Sequence, residues 1–339
     1  MIIVMREGAG RDSVDRVMNK IGQDGLKPVP LVGVERTVIA VIGDERKMFA
    51  ETFSAMPDVE KVMPVLRPYK LAARESHPKP SVISVRGVPI GGPECVVAAG
   101  PCSVESEAQI VETARRARAA GARLLRGGAF KPRTGPYDFQ GLRAEGLRYL
   151  AAARAETGLP VVTEVVDPRD VGLVAEYADM FQIGTRNMQN YLLLKEVGQT
   201  RLPVLLKRGM QARYTEFLLA AEYVMAEGNP NVVLCERGIR TFETYTRNSL
   251  DLNAVPVIRE LSHLPIMVDP SHGTGRRSLV AAMSLAAVAC GADGVLLEVH
   301  PQPENALTDA DQTISCDELA TLMPRLRAVA AAVGRTVGA

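Results

Sequence analysis

The chain has 339 residues, so a barrel domain of about 250 residues would leave roughly 80 for a second domain. It carries 40 Lys and Arg against 39 Asp and Glu, and the resulting net charge of +1 excludes a whole-molecule field that would attract nucleic acid or an anionic membrane. Five cysteines at irregular spacing argue against a disulfide framework. The start shows no signal peptide and no apolar run approaches the roughly 18 residues of a membrane span, so we expect a cytoplasmic protein.

The first 66 residues alternate between strand-like and helix-like patterns in the order βαββαβ, which is typical of a ferredoxin-like split sandwich. We therefore predict a small ferredoxin-like domain over residues 1–66. Its second strand contains Pro28 and Pro30, whose missing amide hydrogens predict an edge strand. Residues 67–80 combine prolines, basic residues and little periodicity, which predicts a linker. The predicted elements are strands at Ile2–Met5, Lys27–Val32, Thr37–Ile42 and 59–65, and helices at 12–22 and 46–55.

The remainder of the chain, residues 81–339, alternates apolar β-rich runs with amphipathic helical patterns after a short predicted hairpin. Such alternation predicts an α/β fold with a parallel sheet covered by helices, and eight runs favour a closed (β/α)8 TIM barrel over an open sheet. No GxGxxG turn follows the first run, so dinucleotide binding has little support. Each run ends at a residue able to bind a metal, a proton or an anion. Because all strand carboxyl ends of such a barrel open on one face, we expect one site there.

A candidate metal site comes from the first, seventh and eighth runs. One thiolate, one imidazole and two carboxylates suit a divalent transition ion such as Mn, Fe, Co or Zn. For the cysteine alone, the alternative is a small buried apolar side chain. The candidates are Cys102, His272, Glu298 and Asp309.

Six cationic residues lie at or just beyond the predicted strand ends. Cations that converge in a low-dielectric cleft repel one another unless anions fill it, so we expect a substrate with more than one negative charge. The mixture of Arg and Lys fits a ligand with phosphate and carboxylate groups. For any one arginine the alternative is an internal ion pair. The residues are Arg126, Lys131, Arg133, Arg186, Lys207 and Arg237.

Several motifs resemble those of one family, the 3-deoxy-D-arabino-heptulosonate 7-phosphate (DAHP) synthases, of the short type with an N-terminal ferredoxin-like regulatory domain. The resemblance covers residues 1–335. These motifs are Ala99-Gly100-Pro101-Cys102-Ser103-Val104-Glu105, Leu125-Arg126-Gly127-Gly128-Ala129-Phe130-Lys131-Pro132-Arg133-Thr134, Gln182-Ile183-Gly184-Thr185-Arg186-Asn187, Leu206-Lys207-Arg208-Gly209, Cys235-Glu236-Arg237-Gly238 and Val268-Asp269-Pro270-Ser271-His272.

The resemblance implies the first reaction of the shikimate pathway, a metal-dependent condensation of phosphoenolpyruvate with erythrose 4-phosphate that releases phosphate. It implies that the four metal candidates named above are the ligands. The residues implied for phosphoenolpyruvate are Arg126, Lys131, Thr185, Arg186, Lys207 and Arg237. Those implied for erythrose 4-phosphate are Lys131, Pro132, Arg133, Thr134, Asp269 and Ser271.

Proton transfer is assigned from motif position. We expect Lys131, between cationic neighbours that lower its pKa, to exchange a proton with the new hydroxyl. Glu164 or His272 would act on the attacking water, with Asp269 near the aldose hydroxyls.

Three other functions remain to be weighed. The sibling 3-deoxy-D-manno-octulosonate 8-phosphate synthases, which use arabinose 5-phosphate, usually carry an Asn-Arg-Ser type loop where this chain has Pro132-Arg133-Thr134, and lack the N-terminal domain. A non-catalytic phosphometabolite sensor would not need all four metal ligands. A fused chorismate mutase would need a long basic helical segment, which the βαββαβ pattern does not provide.

The resemblance also implies a homotetramer and regulation by Tyr or Phe through the small domain. The apolar strand at Lys27–Val32 offers few hydrogen-bonding partners for an amino acid. The alternative is that this domain only packs or oligomerises.

Overall fold

The computed structural model describes residues 1–33, 36–43, 50–63, 68–133 and 135–338. The chain divides into two compact units, Met1–Lys79 with Leu261–His263, and Pro80–Glu260 with Leu264–Ala339. The predicted linker over residues 67–80 is packed where it is described, since Leu71, Ala72 and Ala73 are fully buried. The domain boundaries at 66 and 81 stay predictions.

The first unit is a four-stranded antiparallel sheet with two helices, as the βαββαβ pattern predicts. The sheet order β2-β3-β1-β4 puts the proline-containing strand β2 at an edge, where missing amide hydrogens cost no ladder bond. Residues 44–49 and 64–67, where parts of a predicted helix and strand fall, lie outside the described residues. The elements are β1 Ile2–Met5, α1 Arg11–Gln23, β2 Lys27–Val32, β3 Thr37–Ile42, α2 Ala50–Ser54 and β4 Val59–Met63.

The second unit is a closed barrel of eight parallel strands, β7 to β14, which confirms the predicted architecture. The last strand pairs with both β13 and β7, which closes the ring. The barrel strands are β7 Val96–Gly100, β8 Leu124–Arg126, β9 Val161–Glu164, β10 Met180–Ile183, β11 Val204–Lys207, β12 Val232–Glu236, β13 Ile266–Val268 and β14 Gly294–His300. The smaller strands are β5 Ile83–Val85, β6 Val88–Ile90 and β15 Ile314–Ser315.

Helices follow the strands and bury their apolar stripes against the barrel. Ser106 caps α3 by accepting a hydrogen bond from Gln109 N, and Ser315 with Glu318 forms a capping box on α11. Within the described residues no helix is both long and apolar enough to cross a membrane. The helices are α3 Glu107–Ala120, α4 Ala144–Thr157, α5 Val171–Tyr177, α6 Tyr191–Gly198, α7 Tyr214–Ala226, α8 Ala254–Leu261, α9 Pro270–Thr274, α10 Arg277–Ala289 and α11 Cys316–Ala332. The sequence analysis did not predict α8.

The barrel interior is filled by alternate residues of the strands, because successive side chains of a strand point to opposite faces. Leu124, Val162, Leu205 and Leu296 belong to one buried cluster near the amino ends of their strands. The β5–β6 hairpin contributes four further apolar side chains to this cluster. The hairpin therefore closes the amino end of the barrel and leaves the carboxyl end open.

We predict that Leu205→Ala destabilises the barrel by about 2–5 kcal/mol, because Leu205 is fully enclosed and its truncation leaves a cavity. Leu192→Ala is the matched control, since Leu192 is 74% exposed and its truncation should change stability by about 0.5 kcal/mol or less. Urea unfolding followed by circular dichroism measures both. Equal midpoints for the two variants would contradict the packing described here.

Candidate active site

A cavity of about 280 Å³ opens at the carboxyl ends of the barrel strands. Seven of its lining side chains are Lys or Arg and three are Asp or Glu, so the cavity is strongly cationic. The lining residues are Arg126, Lys131, Pro132, Arg133, Asp138, Glu164, Gln182, Gly184, Thr185, Arg186, Lys207, Arg237, Arg247, His272 and Asp309.

The strand-end residues reach this cavity because they share the inward face of the barrel. Arg126 lies two residues beyond the core residue Leu124, and Lys207 lies two residues beyond Leu205. The two-residue period of a strand then directs both members of each pair inward. One face therefore changes from apolar at the base to ionisable at the mouth.

Four residues at the mouth form a cluster whose ligand atoms all lie within 4.8 Å of one another: Cys102, His272, Glu298 and Asp309. The loop after β7 is held against the loop after β8, since Gly128 N donates to Cys102 O at 3.2 Å and Val104 N donates to Gly128 O at 3.0 Å. This pairing places Cys102 beside Lys131. The predicted metal candidates are thus brought together.

The imidazole of His272 presents one nitrogen to the cluster. Burial lowers the pKa of His272, which favours the neutral ring. Burial alone raises the pKa of Asp269, but His272 and Lys207 hold it well below its ordinary value, so this carboxylate accepts a hydrogen bond from Nδ1 at 2.7 Å. The lone pair of Nε2 then faces Glu298 Oε1 at 3.4 Å and Asp309 Oδ2 at 3.7 Å. Lone pairs arranged in this way fit a cation between them.

The thiol of Cys102 completes the donor set. Its Sγ lies 3.3 Å from Asp309 Oδ2 and accepts a hydrogen bond from Lys131 Nζ at 3.1 Å. Burial, with Glu298 nearby, raises the pKa of Cys102 to about 12. Because a thiol binds a metal as the thiolate, a divalent ion at Sγ would supply the charge that the thiolate needs. The residues therefore fit a divalent metal.

The cations deeper in the cavity are only partly compensated. Arg126 Nη1 lies 3.0 Å from Glu298 Oε1, and Lys207 Nζ lies 2.5 Å from Asp269 Oδ2. Within the described residues, Arg237 Nε and Nη1 and Arg126 Nε are buried without a hydrogen-bond partner. Burial lowers the pKa of Arg237, which an anion beside it would reverse. This arrangement suits an anionic ligand with several acceptor oxygens.

The lining of the cavity includes four further residues predicted to bind substrate. Arg133 lies 3.6 Å from Asp138, and Thr185 Oγ1 donates to Arg208 O at 3.1 Å. Arg186 and Pro132 also line the cavity. Thr134, predicted to bind a phosphate, lies outside the described residues.

Two residues predicted to contact the aldose lie behind the cavity. Ser271 is fully buried and its hydroxyl accepts a hydrogen bond from Glu298 N at 3.0 Å. The carboxylate of Asp269 is fully buried and bonded to Lys207 and His272. Neither residue is among those that line the cavity, and their predicted contacts with the aldose stay predictions. Asp269 holds Lys207 and His272, which do line the cavity, and Ser271 holds the backbone of Glu298.

The expectation of a lowered pKa for Lys131 is wrong. Burial by itself lowers this pKa, but Cys102 and Glu164 more than offset burial and the repulsion by Arg126, so the net pKa is raised. His272 is also a poor candidate base for water, since Nδ1 is bonded to Asp269 and Nε2 faces the cluster. Glu164 lines the cavity, and the hydrogen bond from Gln182 Nε2 goes to its Oε2 and not to its Oε1. Glu164 is therefore better placed than His272 to accept a proton from water.

Gln182 and Arg247 also line the cavity, although neither was predicted from the sequence as a site residue. Gln182 had a signal, because it lies on the inward face two residues beyond the core residue Met180. Arg247 had none, because it comes from the long loop between β12 and α8.

A further buried pair lies behind the site, where Arg208 Nη1 bonds to Glu236 Oε2 at 2.9 Å. That pair joins the ends of β11 and β12 directly beside Lys207 and Arg237.

Residues 74–333 match the family model of the DAHP synthetase I family, and residues 1–67 match the DAHP synthase ferredoxin-like domain. The chain belongs to the DAHP synthase family. It is 48% identical over 334 residues to phospho-2-dehydro-3-deoxyheptonate aldolase of Thermotoga maritima, covering 98% of this chain and 99% of that protein. It is thus an enzyme of a metal-dependent family.

Solved structures agree with this assignment. The crystal structure of the Thermotoga maritima aldolase (DAHP synthase) superposes with a TM-score of 0.79 at 48% identity and covers 99% of this chain and 98% of that chain. By contrast, the 2-dehydro-3-deoxyphosphooctonate aldolase of Syntrophotalea carbinolica is 33% identical over 273 residues, 75% of this chain and 98% of that protein. The match of residues 1–67 to the ferredoxin-like domain of DAHP synthases assigns the chain to that family and not to the octulosonate aldolases.

We predict that Gly184→Ala lowers turnover by up to about 10²-fold, because an added Cβ would overlap Glu164 Oε1 and displace that carboxylate. The clash is with the end of a flexible side chain, so the melting temperature should change little. Gly172→Ala is the control, since a Cβ there meets nothing within 4 Å and replaces a helical glycine. Steady-state kinetics and thermal melts of both variants test this. Unchanged turnover in Gly184→Ala would show that the position of Glu164 is unimportant.

Proposed function

We propose that the chain condenses phosphoenolpyruvate with D-erythrose 4-phosphate and water to give DAHP and phosphate in the cavity at the barrel mouth. One observation carries the proposal: in a chain of the DAHP synthase family, a four-residue donor cluster adjoins a cavity lined by seven cationic side chains. A metal held by the cluster would polarise the carbonyl group of one substrate. The cationic side chains would bind the phosphate groups of both substrates.

The metal ligands in this proposal are Cys102, His272, Glu298 and Asp309. The set of one sulfur, one nitrogen and two carboxylates accepts Mn, Fe, Co or Zn. When bound, such an ion supplies Lewis acidity that polarises the aldehyde oxygen of the aldose.

Phosphoenolpyruvate would occupy the deeper, cationic part of the cavity. Arg126, Lys131 and Lys207 would hold its carboxylate. Arg186, Lys207 and Arg237, with the backbone of Thr185, would hold its phosphate. Two buried nitrogens of Arg237, which have no hydrogen-bond partner among the described residues, support this placement, because a phosphate oxygen would satisfy them.

Erythrose 4-phosphate would enter from the rim, with its phosphate against Arg133, Thr134 and Pro132. Arg133 is tied only loosely to Asp138 at 3.6 Å, so a phosphate could replace that partner. The aldehyde end would then point toward the donor cluster, since His272 and Asp309 line the same cavity.

The reaction forms a bond between C3 of phosphoenolpyruvate and the aldehyde carbon. Lys131, protonated and 3.1 Å from Cys102 Sγ, would donate a proton to the former aldehyde oxygen. Water would add at C2 as Glu164 accepts its proton. The bond between C2 and the phosphate oxygen then breaks, the C2 hydroxyl gives its proton to the departing phosphate and becomes the ketone oxygen, and the buried cations stabilise the negative charge that develops.

Regulation and assembly are proposed by family likeness. The ferredoxin-like domain would bind Tyr or Phe as an effector, and the chain would assemble as a homotetramer in the cytoplasm. All five cysteines are free, in keeping with a reducing compartment. Adding Tyr or Phe to the assay described next tests the effector, and sedimentation tests the assembly.

We predict that chelator-treated protein releases no phosphate from phosphoenolpyruvate until Mn is added, and then only with erythrose 4-phosphate. The metal is required because the aldehyde must be polarised. A colorimetric phosphate assay measures the release, with each sugar omitted in turn as the control. Release with arabinose 5-phosphate instead would assign the chain to the octulosonate synthases. No release with either sugar would favour a phosphometabolite sensor.

We predict that Arg133→Met raises KM for erythrose 4-phosphate by about 10- to 100-fold, because a charge-assisted phosphate contact is lost. KM for phosphoenolpyruvate should change much less. Arg169→Met is the matched control, because Arg169 is exposed, pairs with Asp167 and lies outside the cavity. Equal changes in the two KM values would argue that Arg133 does not select the aldose phosphate.

A further inference from the structure

The two oxygens of Glu298 are held by different partners. Oε1 accepts a hydrogen bond from Arg126 Nη1 at 3.0 Å and faces His272 Nε2. Oε2 accepts a hydrogen bond from Gln312 Nε2 at 2.6 Å. Gln312 is only 2% exposed, so water has little access to replace it. The orientation of the Glu298 carboxylate therefore depends on the side-chain amide of Gln312, and that amide must present its NH2 end to Glu298.

Arg247 orients that amide. Its Nη1 donates to Gln312 Oε1 at 2.8 Å. A guanidinium can only donate, so it holds the carbonyl end of the amide and turns the NH2 end toward Glu298. Without Arg247 the amide could flip and place its oxygen against the carboxylate, where two acceptors would repel.

The same guanidinium reaches a second member of the cluster, because Arg247 Nη1 lies 3.4 Å from Asp309 Oδ1. Asp309 has a left-handed backbone, with φ of +51°, which a residue other than glycine adopts at a cost. An external partner is thus well suited to keep its side chain aligned. Arg247 therefore contacts Asp309 directly and reaches Glu298 through Gln312.

Arg247 is anchored to the helix that carries His272. Its backbone N donates to Thr274 O at 3.0 Å. Its Cβ also packs directly on Gly275, where any side chain would overlap it. This anchor ties the loop between β12 and α8 to the end of α9, so the backbone of Arg247 is held next to the helix that carries the imidazole.

We propose that Arg247 and Gln312 are positioning residues that align the Glu298 and Asp309 carboxylates for the metal. The proposal rests on the metal role assigned to the cluster under the proposed function. Loss of partners one step removed from a metal typically weakens metal affinity by about 10- to 100-fold. We expect a loss in this range for Arg247→Met and Gln312→Met. Arg247→Lys keeps a donor for Gln312 Oε1 and should lose less.

The test is a titration of chelator-treated full-length protein with Co²⁺ alone, in the absence of substrates. The readouts are the dissociation constant and the intensity of the Co²⁺–thiolate absorption band, which reports the ligand geometry at Cys102. Arg277→Met is the matched control. Its side chain is 38% exposed against 37% for Arg247, and it pairs with Glu318 outside the cluster. It should bind Co²⁺ as the unaltered chain does.

The outcomes separate this inference from the metal site itself. If the unaltered chain gives no thiolate band, the metal role of the cluster fails. If it binds Co²⁺ with that band and both Met variants show the same affinity and spectrum, the positioning role is overturned. Thermal melts in chelator verify folding. If Gln312→Met does not fold, the Co²⁺ titration of Arg247→Met alone tests the positioning role. The Arg247 side chain is partly exposed, so replacing it opens no cavity.

Discussion

Alternation of side chains along eight parallel strands is the constraint on which the rest of this structure depends. Each strand must fill the barrel with apolar side chains near its start, and the same inward face continues to its carboxyl end. Leu205 and Lys207 show the change within a single strand. A charge at the base would be desolvated without a partner, whereas at the mouth it can meet a ligand. The site is therefore built by continuing the core outward.

The carboxylates at the barrel mouth neutralise only part of the positive charge there. Asp269 neutralises Lys207 and orients His272, so one carboxylate serves both the anion cavity and the donor cluster. Glu298 likewise joins Arg126 to the cluster. These shared carboxylates keep the cations from repelling one another in the absence of substrate. The excess that remains, above all at Arg237, favours binding of phosphorylated anions.

The sequence patterns predicted the features that follow from the barrel topology and from the two-residue period of its strands. The carboxyl ends of parallel strands meet, so Cys102, His272 and Glu298 could be grouped without coordinates. The pKa of Lys131 could not be predicted, because its sign depends on the balance among burial, Cys102, Glu164 and Arg126. Helix α8 was not predicted from the sequence, and its Pro256 lies in the first helical turn, where proline is tolerated. Arg247 was missed because no strand period governs a loop residue.

The loop between β12 and α8 shows why such a residue can matter as much as a strand end. It leaves β12 at Arg237, which faces the anion cavity, and later presents Arg247 to the donor cluster. The loop is held at its start by Glu236, whose Oε1 accepts a hydrogen bond from Gly238 N at 2.6 Å, and near its end by the bond of Asp251 to Arg208. Because the loop is held by charged groups at both ends, the cavity and the cluster share one support. A displacement of this loop would therefore disturb substrate and metal binding together.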